Sequence, residues 1–482
     1  MKRLITSEFK KIFKSKATFI LLIALTIGSA FSIYFNVSNY SPIYDEDRSY
    51  ANLEGEKINH IEAAKLVDDI LHGYAGEWNQ EKMDQMNNDL KDFMKKYPRD
   101  EFNETIMKKI YGKDYLDYIK DVEENGFDED EFRERMDKNN VKSYGFMTDE
   151  DGKAILNYYY KNDPILSIIS LAYENYDRAI FQNMSGYWRE DMNEILQNKR
   201  STLMNVDGKK MSIAQVMVQR DDTLSKEQQK ILIDYIQNEM DKLPSTFDSS
   251  VPNNLFMNQL QFILLIQAFV VVVILANIFG IEKQYGMDVI IYPTQTTKYK
   301  IVIAKFITGF LITLGVLWSQ ILVSLLVTYL ILPIHNWNIA VMTMGGTQIQ
   351  DVIITYASLF IQTILLSSVG TLAIAFITMV LSYMTKSRFI VVICMFVFLG
   401  MNFIFKDLSF IPSVIRALHP YNFMNYMAYF IGNGDISFGF PYMFIGNHII
   451  MIRTFVIGVW IVIILIGSYL VVRNAKKPYI EN

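Results

Sequence analysis

The chain has 482 residues, of which 51% are hydrophobic and 20% charged, with a formal net charge of −5 and a mean hydropathy of +0.15. The acidic balance gives no electrostatic footprint for nucleic acid, and a single cysteine, Cys394, excludes a disulfide framework. Charge divides along the sequence: residues 37–257 carry 44 acidic and 28 basic side chains, net −16, and the remainder carries 7 and 18, net +11. That split separates a water-soluble acidic domain, large enough for its own core, from a membrane part with basic flanks.

Residues 1–16 form the first expected element. Leu4, Ile5, Phe9, Ile12 and Phe13 fall on one side of a helix, with Lys10, Lys11 and Lys14 toward the other. This pattern suits an amphipathic helix lying on anionic lipid, although the same lysines also serve as a plain topogenic cluster. An apolar run follows at 17–35. Gly28-Ser29-Ala30 resembles a signal-peptide cleavage site, but five further apolar runs follow, and this one is expected to stay as transmembrane helix 1, over 17–36.

Residues 37–257 are expected to form a large, mostly helical extracellular domain. Met83, Met86, Leu90, Phe93 and Tyr97 alternate at helical spacing before Pro98. Thr148 with Asp151 reads as the start of a helix through Ile155, Tyr158 and Tyr159, with strands an alternative around 141–147. Ser225 with Gln228 forms a capping box. Ile231, Leu232, Tyr235, Ile236, Met240 and Leu243 then share a face that stops at Pro244. Such stripes are core faces first. The acidic run 121–131 places Glu123, Asn125 and Gly126 as a calcium loop would, but Phe132 stands where that loop needs a bidentate glutamate. It reads as a solvated face. His60, His72, His335, His419 and His448 lack metal-ligand spacing.

Residues 258–482 hold the other five runs, at 259–281, 301–332, 352–381, 389–405 and 454–472, each near or above the roughly 20 apolar residues that a bilayer-crossing helix needs. The expected fold class is therefore an all-α membrane protein with six transmembrane helices. Gln267, Asn277, Gln320, Gln362 and Asn402 lie inside these runs, where polar groups either join helices or line a path. The loop at 282–300 carries Glu282, Gly286, Tyr292 and Pro293 before Lys298 and Lys300. Glu282 ends an apolar helix with its charge toward water or a basic partner, and Pro293 ends a short amphipathic stretch. The segment 406–447, with Pro412, Arg416, His419 and Pro420 among several aromatics, reads as an aromatic belt, and Arg453 opens the last run with room to snorkel to phosphate.

Lysine and arginine set the orientation. Basic residues precede run one, separate runs two and three, separate runs four and five, and follow run six. With six spans, all four sets fall on one side, so both termini are expected in the cytoplasm and 37–257 outside. Residue usage rich in Ile, Lys, Asn and Tyr suits a Gram-positive bacterium, hence a bacterial plasma membrane. No Gly-x-Ser-x-Gly elbow and no phosphate-cradling Gly-x-x-x-x-Gly-Lys-Ser/Thr loop is present, so any ATP and Mg would be bound by another polypeptide.

The order Glu282, Gly286, Pro293 and then a lysine opening the next span resembles the permease subunits of ABC-2 type ATP-binding cassette exporters. The resemblance covers the loop and the order of spans, and Asp288-Val289 and 294–297 depart from the family pattern. It implies a chain that is not itself an enzyme, coupled to cytoplasmic ABC ATPase subunits through Glu282, Gly286, Tyr292, Pro293, Phe9 and Lys10. It implies a second permease subunit, identical or related, and an outer gate of short re-entrant helices around Pro412, Arg416, His419, Pro420 and Arg453. An acidic, Tyr-rich outer domain favours a cationic antimicrobial or amphipathic peptide as substrate. A lipid or envelope glycoconjugate is the alternative. A membrane sensor relaying ligand binding to a cytoplasmic partner is a third reading.

Overall fold

The structure is a computed structural model. It describes residues 1–39, 57–77, 224–242, 246–280, 295–341, 354–385, 387–405, 413–425 and 442–476 without a break, together with shorter stretches between them. The chain divides into two units. One comprises Met1–Asn36, Gly186–Pro244 and Pro252–Asn482, the other Val37–Ser185 and Ser245–Val251.

The first unit is built on apolar helices. It opens with α1 (Lys2–Phe13) and α2 (Lys16–Asn39). In the second unit follow the strand pair β1 (Tyr50–Ala51) and β2 (Lys57–Ile58), then α3 (His60–His72) and β3 (Gly76–Glu77). Asn59 starts α3: its Oδ1 accepts the amides of Ile61 and Glu62 at 3.0 Å, while Glu62 accepts the Asn59 amide at 2.8 Å, a reciprocal cap that satisfies three backbone donors. Strand β3 pairs antiparallel with β8 (Thr246–Phe247). His72 Nδ1 lies 2.8 Å from Asp248 Oδ1, which also accepts the Ser249 amide.

The helix expected from Thr148 through Tyr159 is instead a hairpin of β4 (Ser143–Thr148) and β5 (Ala154–Tyr159), with Tyr144 opposite Tyr158 and Phe146 opposite Leu156. Both segments are rich in Tyr, Phe and Ile, residue types that favour strands, and that preference outweighs the weak capping signal. Of the Met83-to-Tyr97 stripe, Glu81, Lys82, Gln85 and Asn88 are helical, while the apolar positions lie outside the described residues. So do the calcium-loop positions after Asp121.

Back in the first unit, β6 (Leu203–Val206) pairs with β7 (Lys209–Ser212). The capping box forms as read: the Ser225 amide reaches Gln228 Oε1 at 3.0 Å and the Gln228 amide reaches Ser225 Oγ at 3.3 Å. It opens α4 (Lys226–Asp241), whose Leu232 and Ile236 are buried against Tyr442, Phe444, Ile449 and Met451. Those belong to a hairpin of β9 (Tyr442–Ile445) and β10 (His448–Met451), turned at Gly446 with φ of 62°, a left-handed conformation that glycine adopts without a Cβ clash.

Among the described residues, five helices are long and apolar enough to cross a membrane: α2 over Lys16–Asn36, α5 (Val251–Leu275), α6 (Gln295–Ile331) over Lys298–Ile331, α7 (Tyr356–Met384) and α10 (Ile452–Ala475). The sixth expected run forms α8 (Arg388–Phe405). Its described apolar stretch, Arg388–Asn402, is shorter than a perpendicular span requires. Helix α6, with 37 residues, is about 55 Å long and so exceeds the hydrocarbon core. Phe256, Leu260, Leu264, Leu317, Leu366, Leu399 and Val456 meet in the core, while Phe31, Leu322, Ile393 and Leu465 point outward. Along α7, Thr363, Ser367, Thr371, Thr378 and Ser382 are buried on one seam. Ser367, Thr371 and Thr378 donate to carbonyls one turn back at 2.6–2.7 Å, which lets neighbouring elements approach closely. Short α9 (Ser413–Ala417) and a 3-10 turn (Pro420–Met424) complete the set.

Candidate functional site

The strongest concentration of chemistry is a quartet of charged side chains. Glu8 sits on the inner face of α1, Lys305 lies in the apolar part of α6, Glu282 follows α5, and Lys11 stands one turn after Glu8. Lys305 is fully buried, and Glu282 and Glu8 are 1% and 6% exposed. The Lys11 ammonium is 2.6 Å from Glu8 and 3.1 Å from Glu282. The Lys305 ammonium is 3.2 Å from Glu282 and 3.4 Å from Glu8. Two carboxylates thus alternate with two ammonium groups, and the net charge is zero.

Burying ions costs several kcal/mol each unless close opposite charges and further hydrogen bonds compensate. Both conditions are met. Lys305 also donates to the carbonyl of Ile278, in the turn where α5 ends and carbonyls lack helical partners, and its ammonium lies 5.3 Å from the centre of the Phe279 ring. Burial by itself would raise the Glu282 carboxyl; the Lys305 and Lys11 ammonium groups outweigh it and hold Glu282 below the usual carboxylate value. Partial burial would lower the Lys11 ammonium, but the hydrogen bond and attraction from Glu8, then those from Glu282, raise it.

Around the quartet, Phe9 and Ile12 of α1 pack with Leu22, Leu25, Phe306 and Phe376, and Phe9 stacks on Phe13 at 6.2 Å. The apolar face of α1 is therefore used largely against protein, while Lys10 is exposed and Phe13 is 46% exposed. Glu282, expected to face water or a basic partner, faces two lysines of its own chain. Gly286, Tyr292 and Pro293 lie outside the described residues, as does Pro412.

The polar residues of the spans are internal. Gln320 is buried, with Oε1 2.7 Å from Ser29 Oγ of α2 and Nε2 3.4 Å from Thr26. Gln259 bridges Ser32 and Asn36 of the same helix. This ladder, which the sequence reading missed apart from Gln320, ties α2 to α5 and α6. Gln267 donates to Thr371 at 3.4 Å, and among the described residues its Oε1 has no hydrogen-bond partner, nor has Asn277 Oδ1. Gln362 bonds within α7 to Ser358 at 2.8 Å, and Asn402 is half-buried on α8.

The outer-gate residues that are described form a tightly keyed piece. Pro420 and Phe423 press against Gly370 of α7, where an added Cβ would lie 2.4 Å from Phe423 Cβ and 2.8 Å from the Pro420 carbonyl oxygen. The carbonyls ending α9 are each met by a side chain: Arg416 by Asn422 at 2.8 Å, Ala417 by Tyr429 at 2.6 Å and Leu418 by Trp460 at 2.7 Å. His419 stacks on Phe398 at 4.6 Å, with Nε2 3.0 Å from the Phe398 carbonyl. Arg453 is half-buried at the start of α10, within the field of Tyr235 and Glu239 on α4.

No protein-family model matches the chain, and no curated protein or solved structure was found similar to it. The apolar helices mark a membrane protein, mostly helical in its described residues. Among those residues no group of three or more His, Cys, Asp or Glu is placed to hold a metal ion.

Of the quartet, Lys11 was legible as part of the basic face of the N-terminal helix, Glu282 as the end of an apolar run, and Lys305 as one of the basic residues between runs two and three. Glu8 was passed over. Its signal is that it is the one acidic residue in positions 1–36, three residues before a lysine and on the apolar side of an otherwise basic helix.

Proposed function

We propose that the chain is the permease subunit of an ATP-driven exporter of the ABC-2 type, with six spans, both termini in the cytoplasm and residues 37–257 outside. The observation that carries this reading is the quartet. It fastens α1 and the end of α5, the two places where the ABC-2 resemblance puts the push of an ATPase, to α6. A force delivered to the loop after Glu282 passes through Lys305 into α6 and through Lys11 and Glu8 into α1. Two permease subunits, each with an ATPase below it, would flank a path, and rigid-body shifts would open it outward. The internal Gln267 and Gln320 serve helix packing in this reading, so the path lies between subunits. The net −16 of residues 37–257 favours capture of a cationic amphipathic peptide.

The test has two arms. With Cys394 replaced by serine, an impermeant thiol reagent on whole cells should label Asp128→Cys and leave Thr297→Cys untouched. External labelling of Thr297→Cys would overturn the topology. In the second arm, the full chain is co-purified with the stand-alone ABC ATPase encoded nearest to it and reconstituted. Gly286→Val should lower the permease-stimulated ATP hydrolysis several-fold, whereas Asp435→Lys in the outer segment should not. Equal stimulation by all three proteins would move the coupling surface away from this loop. Binding of a cationic amphipathic peptide to the full chain should weaken as salt rises, since screening at about 0.15 M limits reach to about 8 Å. Absence of binding at every salt concentration would direct the search to a lipid substrate.

A further inference from the structure

The four charges of the quartet divide in only one way that follows the chain. Glu8 and Lys11 lie on the same helix, one turn apart and 2.6 Å from each other. Glu282 and Lys305 lie on the span bundle, 3.2 Å apart. The contacts that join the halves are the two cross pairs, Lys11–Glu282 at 3.1 Å and Lys305–Glu8 at 3.4 Å. If α1 lifts away, each half keeps one acid and one base. Lys305 also keeps the Ile278 carbonyl and the Phe279 ring. Pulling a single ion out of a buried cluster is costly because an uncompensated charge stays behind. Separation along the edge of α1 leaves none.

The rest of the contact is consistent with separation. Leu4, Ile5, Phe9 and Ile12 are only half-buried, and the outer face of α1 is polar and exposed. Two residues, Lys14 and Ser15, join α1 to α2, so α1 stays tethered to α2 whether docked or not. Helix α2 is held separately, by Ser29, Ser32 and Asn36 against Gln320 and Gln259. Beneath α1 lies Thr308, fully buried, with its hydroxyl 3.5 Å from the Ile5 carbonyl.

We propose that α1 is a detachable latch, held on the bundle by the Lys11–Glu282 and Lys305–Glu8 pairs and released as an electrically neutral unit. Docked, it fixes the end of α5 and the start of α6. Released, it frees both. This goes beyond the exporter reading and stands whether or not that reading holds.

The test uses the full chain with Cys394→Ser and Thr308→Cys, purified in detergent micelles, and follows the rate of maleimide labelling. The thiol is shielded while α1 is docked, so the rate reports release. The parent should label slowly but to completion. Exchanging the charges on α1, Glu8→Lys with Lys11→Glu, preserves composition and the pair within α1 but turns both cross pairs into like-charge contacts. It should raise the rate at least about tenfold, the equivalent of about 1.4 kcal/mol. Lys11→Met, which leaves Lys305 alone between two carboxylates, should raise it less. Lys10→Met makes the same change in net charge on the exposed face of the helix and should leave the rate at the parent value. Gel filtration checks that each variant is folded. The proposal is overturned if the parent thiol stays unlabelled while the unfolded chain reacts, if the charge exchange has no effect, or if Lys10→Met matches Lys11→Met.

Discussion

The quartet and the outer segment 413–425 belong to the same helical bundle but are fastened by different physics. At the quartet, α1 is held by charges that pair across the contact and also within each side. At the outer segment, neutral side chains cap the carbonyls of Arg416, Ala417 and Leu418, and Gly370 admits Pro420 and Phe423 at a distance no other residue allows. Ion pairs act over several ångströms and can be exchanged for water. A steric key and capped buried carbonyls are lost all at once. The segment around Pro420 and Phe423 is therefore keyed by shape and capped carbonyls, whereas the contact around Glu8 and Lys305 is keyed by charge.

Substitutions at the two places should therefore differ in kind. Lys305→Met removes the fully buried ammonium and leaves Glu282 and Glu8 to share one half-exposed lysine. Breaking a buried pair in this way costs about 3–5 kcal/mol, to be read as a lowered midpoint of chemical unfolding in detergent. A change below about 1 kcal/mol would show that the quartet is not tightly desolvated. Gly370→Val drives a side chain into Phe423 and Pro420 and should cost about 3 kcal/mol through overpacking, while leaving the Thr308→Cys labelling rate unaltered. An altered rate would mean that the two regions are coupled.

Tyr429→Phe leaves the Ala417 carbonyl buried without its donor and should cost about 2 kcal/mol, measured in the same unfolding experiment. A pH series sharpens the contrast further. The Glu282 carboxyl is lower in the folded chain than in the unfolded one, so its contribution is complete above the unfolded value of about 4.3 and is lost as pH falls through the lower folded value. Wild type should lose stability relative to Glu282→Gln over that acidic window. Lys11, raised on folding, contributes fully below about 10.4 and ceases to do so only as pH rises above it. The outer segment responds through a group of its own: burial holds the His419 imidazole below its ordinary value, so its stability falls as pH drops below about 6.5. The smallest effect is expected for Gln267→Leu, which deletes an amide whose oxygen has no hydrogen-bond partner among the described residues. Its stability should stay within about 1 kcal/mol of wild type, measured in the same unfolding experiment.

The amino-acid sequence by itself determined much of the membrane part. Long apolar runs in this chain have no stable alternative to helix in a bilayer, because every backbone amide must be satisfied within its own segment, and five of the six expected runs have the length and composition to cross. The Ser225–Gln228 cap and the face through Leu232 and Ile236 were legible for the same reason: both depend on neighbours three or four residues away. Short-range signals failed at 154–159, where the choice between helix and strand rested on pairing with 143–148 across the hairpin. They failed more completely at the quartet. Nothing near Glu8 in sequence says that its partners include Lys305, or that Glu282 is shielded from water. Only the packing of α1 on α6 and of α5 beside them brings four charges from distant positions into one buried cluster. A single carboxylate or ammonium there would be unstable by several kcal/mol, so the charges became compatible with burial only once the tertiary fold had brought them together.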